Sequence, residues 1–201
     1  MSESRAVAES VEEIVPGVWY WRVRDERIGG AWGCSHAADG VLVDPHGLAA
    51  DALARLGEIT AIVLTTSSHQ RAAWRLRREL RVPVYLPAAA KAVDEEPDVR
   101  YGEGDALPGG LQAVFTPGAG TTQHSLLLER DGGVLFTPDL FVRSSRGPLE
   151  WVPFEYMHDP DEARRSAERL LELDFAVLCS AHGAPLVGGA KEALHGLVHE
   201  S

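Results

Sequence analysis

Hydrophobic and polar positions along the chain follow two periods, and the change between them predicts the elements. Val18–Val23, Trp32–Cys34 and Val41–Val43 are β-branched and aromatic runs, with "HAADG" (residues 36–40) as a turn, so the chain opens as an antiparallel meander. The period then lengthens. Leu48–Leu56 fits a helix and Ala61–Leu64 a buried strand. Ala72, Ala73, Leu76 and Leu80 share one face of a second helix, which Ser68 is placed to cap, and Pro83–Leu86 is a further short strand. This middle section reads as β-α-β, a parallel unit with helices packed outside. Strands return at Val99–Tyr101, Leu111–Phe115, Ser125–Leu128 and Val134–Phe136, with "RDGG" (130–133) as a hairpin turn. Asp159-Pro160-Asp161-Glu162 is a helix start: a capping Asp, Pro at the first helical position and Glu to close a capping box. Ala163, Ala167, Leu170 and Leu171 supply the buried stripe, and Phe175–Leu178 and Ala190–His199 are a last strand and helix. The pattern predicts a mixed α/β chain with two strand-rich halves, each covered by helices. A dinucleotide-binding fold is disfavoured, because no glycine-rich loop follows the first strand.

Composition narrows the functional classes. The 201 residues, 45% apolar, suffice for one well-packed domain, which we place at 14–201, with the polar residues 1–13 expected to fray. No apolar run approaches the roughly 20 residues that span a bilayer. The start, Met1-Ser2-Glu3-Ser4-Arg5, lacks the layout of a signal peptide, so a cytoplasmic location is expected. A net charge of −11 argues against nucleic-acid binding, which needs a basic stripe. Arg71, Arg75, Arg77, Arg78 and Arg81 cluster locally and read as the solvated face of one helix. Cys34 and Cys179 lack metal-type spacing and read as structural thiols.

Ordered segments then carry a resemblance. "EIVPGVWYW" (13–21), "GVLVDP" (40–45), "ITAIVLTTSSHQR" (59–71), "VFTPGAGTTQHSLLL" (114–128), "GVLFTPDLF" (133–141) and "VLCSAHGAP" (177–185) resemble, in order and spacing, the motifs of the metallo-β-lactamase superfamily. The resemblance implies a four-layer α/β/β/α sandwich of two mixed sheets with metals at one edge. The family's second motif is His-x-His-x-Asp-His. A further His comes from the Pro-Gly loop, a bridging Asp from the fourth motif and a last His from the fifth. Imidazole and carboxylate bind Zn²⁺, Fe or Mn, and the metals lower the pKa of an attacking water.

Carried over position by position, most of that set is replaced. Thr66, Ser68, Gln70 and Arg71 stand at the second motif's ligand positions and Ala119 in the Pro-Gly loop, while Asp139 and His182 are retained. Thr, Ser and Gln are poor zinc ligands, and Arg71 stays charged and repels a cation. We therefore expect no metal cofactor, with Arg71 satisfying Asp139 as a metal would. The alternative is a relocated one-metal site of Zn, Fe or Mn on Asp139 and His182 with His69 or His124. Asp44 is expected to support the second-motif loop through backbone N–H groups near Thr65–Ser68.

The candidate catalytic residues are thus Asp139, His182 and Arg71, with His182 as base. Thr66, Ser68, His69, Gln70, Gly118 and His124 are candidates for ligand contact. The long connection at 141–160, with Trp151, Phe154, Tyr156 and Met157, is a candidate lid, dimer contact or core plug. The expected partner is a small polar or anionic molecule, with a homodimer left open. Three functions remain at this level: a metal-independent, hydrolase-like protein, a mononuclear metallohydrolase, and a non-catalytic binding or scaffold protein.

Overall fold

The computed structural model describes residues 3–144 and 147–199. The chain divides into two compact units, Met1–Tyr101 and Gly102–Ser201.

In the N-terminal unit the strands are β1 (Val7–Ala8), β2 (Glu12–Val15), β3 (Val18–Asp25), β4 (Ala31–Ala38), β5 (Val41–Val43), β6 (Gly47–Leu48), β7 (Ala61–Val63), β8 (Val84–Pro87) and β9 (Val99–Tyr101). The helices are α1 (Ala50–Ala54) and α2 (Ala73–Leu80). Seven of these strands form one sheet in the order β2-β3-β4-β5-β7-β8-β9. It is antiparallel from β2 to β5 and parallel from β5 to β9, so the meander and the parallel unit share one sheet. The turn between β4 and β5 is shorter than "HAADG" suggests. Ala38 still pairs with Val41, and Asp39 and Gly40 alone turn the chain, at φ 48° and 78°. A two-residue hairpin needs positive φ at both positions, which Asp-Gly supplies.

The expectation of a frayed start differs from what the structure shows. β1 pairs with β6, β2 pairs with β3, and the Ser4 N–H donates to Arg71 O at 3.0 Å. A polar segment holds its place through backbone pairing, which composition does not report. The unit's core is Trp21, Leu42, Ile62, Leu64, Trp74, Leu76, Val84 and Leu86. Each such side chain contributes about 1.5–3 kcal/mol on burial.

In the C-terminal unit the strands are β10 (Leu111–Phe115), β11 (His124–Leu128), β12 (Val134–Arg143), β13 (Leu149–Trp151), β14 (Val177–Gly183) and β15 (Leu186–Val187), and the helices are α3 (Pro160–Leu171) and α4 (Ala190–His199). The sheet order is β10-β11-β12-β14-β15, with β13 on the distal part of β12. β12 and β14 run parallel and the other pairs antiparallel. Asp159 caps α3 as anticipated, accepting from the Glu162 N–H at 2.9 Å, with Pro160 in the first turn. Leu135, Phe141, Ala163, Ala167, Leu170, Leu178 and Leu194 close the unit's core.

β12 runs well past the three residues its apolar pattern predicts. Its ladder with β14 slips between Thr137 and Val142, where five steps on β12 oppose two on β14, from Ser180 to His182. Pro138 sits in that slip. It has no N–H for the ladder, and such residues are tolerated at bulges. The bulge lifts Asp139 out of regular alternation beside the end of β14.

Candidate functional site

The segment after β7 is built around Asp44. Its backbone is left-handed, φ 46°, and its side chain is buried. Oδ1 accepts from Thr65 N–H at 2.8 Å, and Oδ2 accepts from Thr65 Oγ1 at 2.5 Å. The structure therefore has the backbone bond anticipated for Asp44. Oδ2 also lies 2.9 Å from His69 Nδ1. Burial pushes the Asp44 carboxyl up, but His69, Arg71 and the Thr65 hydroxyl outweigh it, and the group ends below its ordinary value. An ionised carboxylate against Nδ1 fixes the orientation of the ring. Carboxylates orient imidazoles this way where the ring binds a metal or moves a proton.

The other residues of this segment are held by their own unit. Thr66, not Ser68, is the capping residue: its side chain accepts from Ser68 N–H at 3.5 Å to start a single 3₁₀ turn at Ser67–His69. α2 begins only at Ala73, and Ser68 is exposed. Gln70 donates from Nε2 to Ser67 O at 2.8 Å and Ala92 O at 3.1 Å. Its Oε1 accepts from Trp74 Nε1 at 2.8 Å and Asp94 N–H at 2.7 Å. A primary amide has four such positions and all are used, so Gln70 ties the loop after β8 to α2 and offers nothing to a ligand. The sequence expectation for Gln70 is corrected by this saturation.

Arg71 is buried at 3% exposure, with φ 43°. Its Nη1 donates to Cys34 O, to Asp44 O at 2.7 Å and to Ser35 Oγ at 3.3 Å. The guanidinium thus braces the backbone where β4 and β5 meet. Behind it, Ser35 Oγ lies 2.9 Å from His46 Nδ1, and His46 Nε2 lies 3.3 Å from Asp25 Oδ2. Burial, then the Arg71 charge, holds the His46 ring well below its ordinary pKa. His36, on β4, is pushed down to about 3 by burial and then by Arg71. Asp25 is held low, chiefly by Arg27. Sequence reasoning left Ser35 and Asp25 unmarked, because their roles arise from strands brought together by pairing rather than from any local motif.

In the C-terminal unit the two retained motif residues meet. His182 Nε2 lies 3.0 Å from Asp139 Oδ1, with the side chains 23% and 28% exposed. Gly183 follows at φ 137°, where a Cβ would lie 2.2 Å from Arg143 O, so the close crossing of β12 and β14 that sets this pair requires glycine. Gly118 has the same φ, and a Cβ there would lie 2.3 Å from Ala163 Cα; it packs the Pro-Gly loop onto α3. Its carbonyl accepts from Asp159 N–H at 2.8 Å. Gly118 is thus placed by packing on α3. His124 opens β11, with Nδ1 3.1 Å from Thr122 O and its ring 5.1 Å from Phe115; burial lowers its pKa. In the 141–160 connection, Trp151 packs on Phe141 at 5.4 Å as a core plug, while Phe154 and Tyr156 are 59% and 72% exposed. Ser145 and Arg146 lie outside the described residues.

Residues 29–193 match the sequence model of the metallo-beta-lactamase superfamily. The chain belongs to the metallo-beta-lactamase superfamily. Solved structures agree on the fold. The metallo-beta-lactamase DIM-1 matches at TM-score 0.74 and 16% identity, over 98% of this chain and 99% of that one. FIM-1 from Pseudomonas aeruginosa, solved in a mono-zinc form, matches at 0.69 and 14%, over 98% and 96%. ST1585 from Sulfolobus tokodaii, an archaeal superfamily protein, matches at 0.64 and 15%, over 84% and 79%. Identities this low show the fold alone, and that fold is the mixed α/β class with two mixed sheets anticipated from the motifs. No curated protein matches the sequence.

Metallo-beta-lactamase superfamily members usually bind zinc. The residues at this chain's second-motif positions do not fit two zinc ions. Gln70 is saturated, and Arg71 is a cation locked onto two carbonyls. Among the family's ligand positions, the Asp139–His182 pair keeps donor atoms of the right chemistry.

Proposed function

We propose that this superfamily member is a divergent, hydrolase-like protein of the cytoplasm. In this reading it works without the usual dinuclear centre on a small polar or anionic ligand, with Asp139 and His182 as its acid–base pair. The observation that carries the reading is the 3.0 Å contact between His182 Nε2 and Asp139 Oδ1 in a partly exposed setting. A carboxylate on one imidazole nitrogen orients the ring and leaves the other nitrogen to act on water. The proton taken from water is held on the pair and returned to the leaving group, so a hydrolysis balances without a further co-reactant.

The test joins turnover to elemental analysis. On a panel of ester, thioester, lactone and phosphodiester substrates, Asp139→Asn and His182→Ala are each expected to lower turnover by about 100-fold or more, with the protein still folded and free of stoichiometric metal after dialysis. Turnover indifferent to both substitutions would place the chemistry away from this pair, and no turnover in the wild type would leave a non-catalytic binding or scaffold protein. A second reading is favoured by the same contact: oxygen and nitrogen 3.0 Å apart can share one ion at bond lengths of about 2.0–2.2 Å. One equivalent of Zn, Fe or Mn that resists dialysis and is lost in both variants would establish that mononuclear hydrolase instead.

A further inference from the structure

α4 carries a chelating face unrelated to the superfamily motifs. His195 and His199 are four residues apart on this helix, both exposed, with ring centroids 4.4 Å apart and planes tilted by 55°. Residues at i and i+4 lie one above the other on a helix surface. Two imidazoles so placed can both turn a nitrogen toward one ion without any backbone movement, the same geometric reason that paired histidines at this spacing bind zinc elsewhere. Glu192 is exposed on α4 three residues before His195, so its carboxylate falls on the same face and can reach the same ion. The opposite face is spoken for: Ala190, Leu194 and Val198 are buried in the unit's core. The helix is therefore anchored while its outer face stays open. The histidines also lie in the C-terminal half of α4, where the helix dipole favours a cation.

We infer that Glu192, His195 and His199 form a peripheral site for a borderline divalent cation of the Zn²⁺, Ni²⁺ or Cu²⁺ type. Imidazole ligands select that class over Mg²⁺ and Ca²⁺, which prefer oxygen. The net charge of −11 favours a cation over the molecule as a whole, while near the site the Arg164 guanidinium donates to Val198 O. The site is independent of the Asp139–His182 reading, and it bears on how metal content is interpreted. A metal found in the purified protein has two candidate locations, and only one of them lies at the retained motif residues.

The experiment titrates untagged, metal-stripped full-length protein with Ni²⁺ and then Zn²⁺ by isothermal calorimetry, with circular dichroism as a control for folding. Wild type is expected to bind one equivalent at the helix face. His195→Ala and His199→Ala should each weaken that binding by at least about tenfold, Glu192→Gln by a smaller factor, and Mg²⁺ should give no comparable heat. The Asp139→Asn/His182→Ala double variant should keep the site. Binding that survives loss of both α4 histidines, or no binding in the wild type, overturns the inference. Binding lost only in the Asp139/His182 variant also overturns it, and would assign the metal to the motif pair.

Discussion

Arg71 shows what a buried cation demands of its surroundings. A guanidinium brings a permanent charge that must be paired inside the protein. Here it is paired by carbonyls of Cys34 and Asp44 and lies near the ionised Asp44 carboxylate. Removing one partner from such a buried arrangement costs more than its net worth, because the acceptors stay behind without donors. Arg71→Met keeps most of the apolar stem and removes the charge. It is expected to lower unfolding stability by about 3 kcal/mol in urea, while a surface change such as Arg81→Met should stay within about 0.5 kcal/mol. A loss below about 1 kcal/mol for Arg71→Met would show that the brace is dispensable. The identity of Arg71 was plain in the sequence, but its bonds to main-chain carbonyls were not, because no side-chain pattern announces them.

At the scale of elements, the regular parts were legible and the irregular ones were not. The α3 start could be read from Asp159, Pro160 and Glu162 because capping is local chemistry. β12 could not be read past Phe136, because Pro138 interrupts the apolar pattern while the strand continues through a bulge. That bulge places Asp139 beside His182, so the least predictable stretch of backbone makes the candidate site. The Pro-Gly loop has a comparable dependence on one residue. Gly118→Ala puts a methyl into the backbone of α3 at a φ of 137°. Neither the loop nor the helix end can yield cheaply, so the expected cost is about 3 kcal/mol. Thermal melts read it directly; an unchanged melting temperature would mean the loop is not packed on α3.

For the molecule as a whole, buried histidines set the response to acid. His36 is pushed down from 6.5 to about 3 by burial and then by Arg71, and His46 is lowered by the same two causes. Both are neutral when folded and free to take a proton when unfolded. Between pH 6.5 and about 3 the unfolded chain therefore binds more protons than the folded one. Stability is full well above pH 6.5 and falls with pH through that window. Urea denaturation at pH 7.5 and pH 5 should show that fall, and His36→Leu should reduce it; equal stabilities at the two pH values would refute the assignment. The sequence by itself pointed to the family, the α/β class and the order of the longer strands and helices. Those rest on periodicity, local capping and motif order, which are properties of neighbours along the chain. Only the tertiary structure decided that Gln70 is saturated, that Arg71 braces two strands, that Asp44 orients His69 and that a bulge sets Asp139 against His182. Each of those depends on hydrogen bonds between residues distant in sequence, and their partners exist only once the sheets have paired.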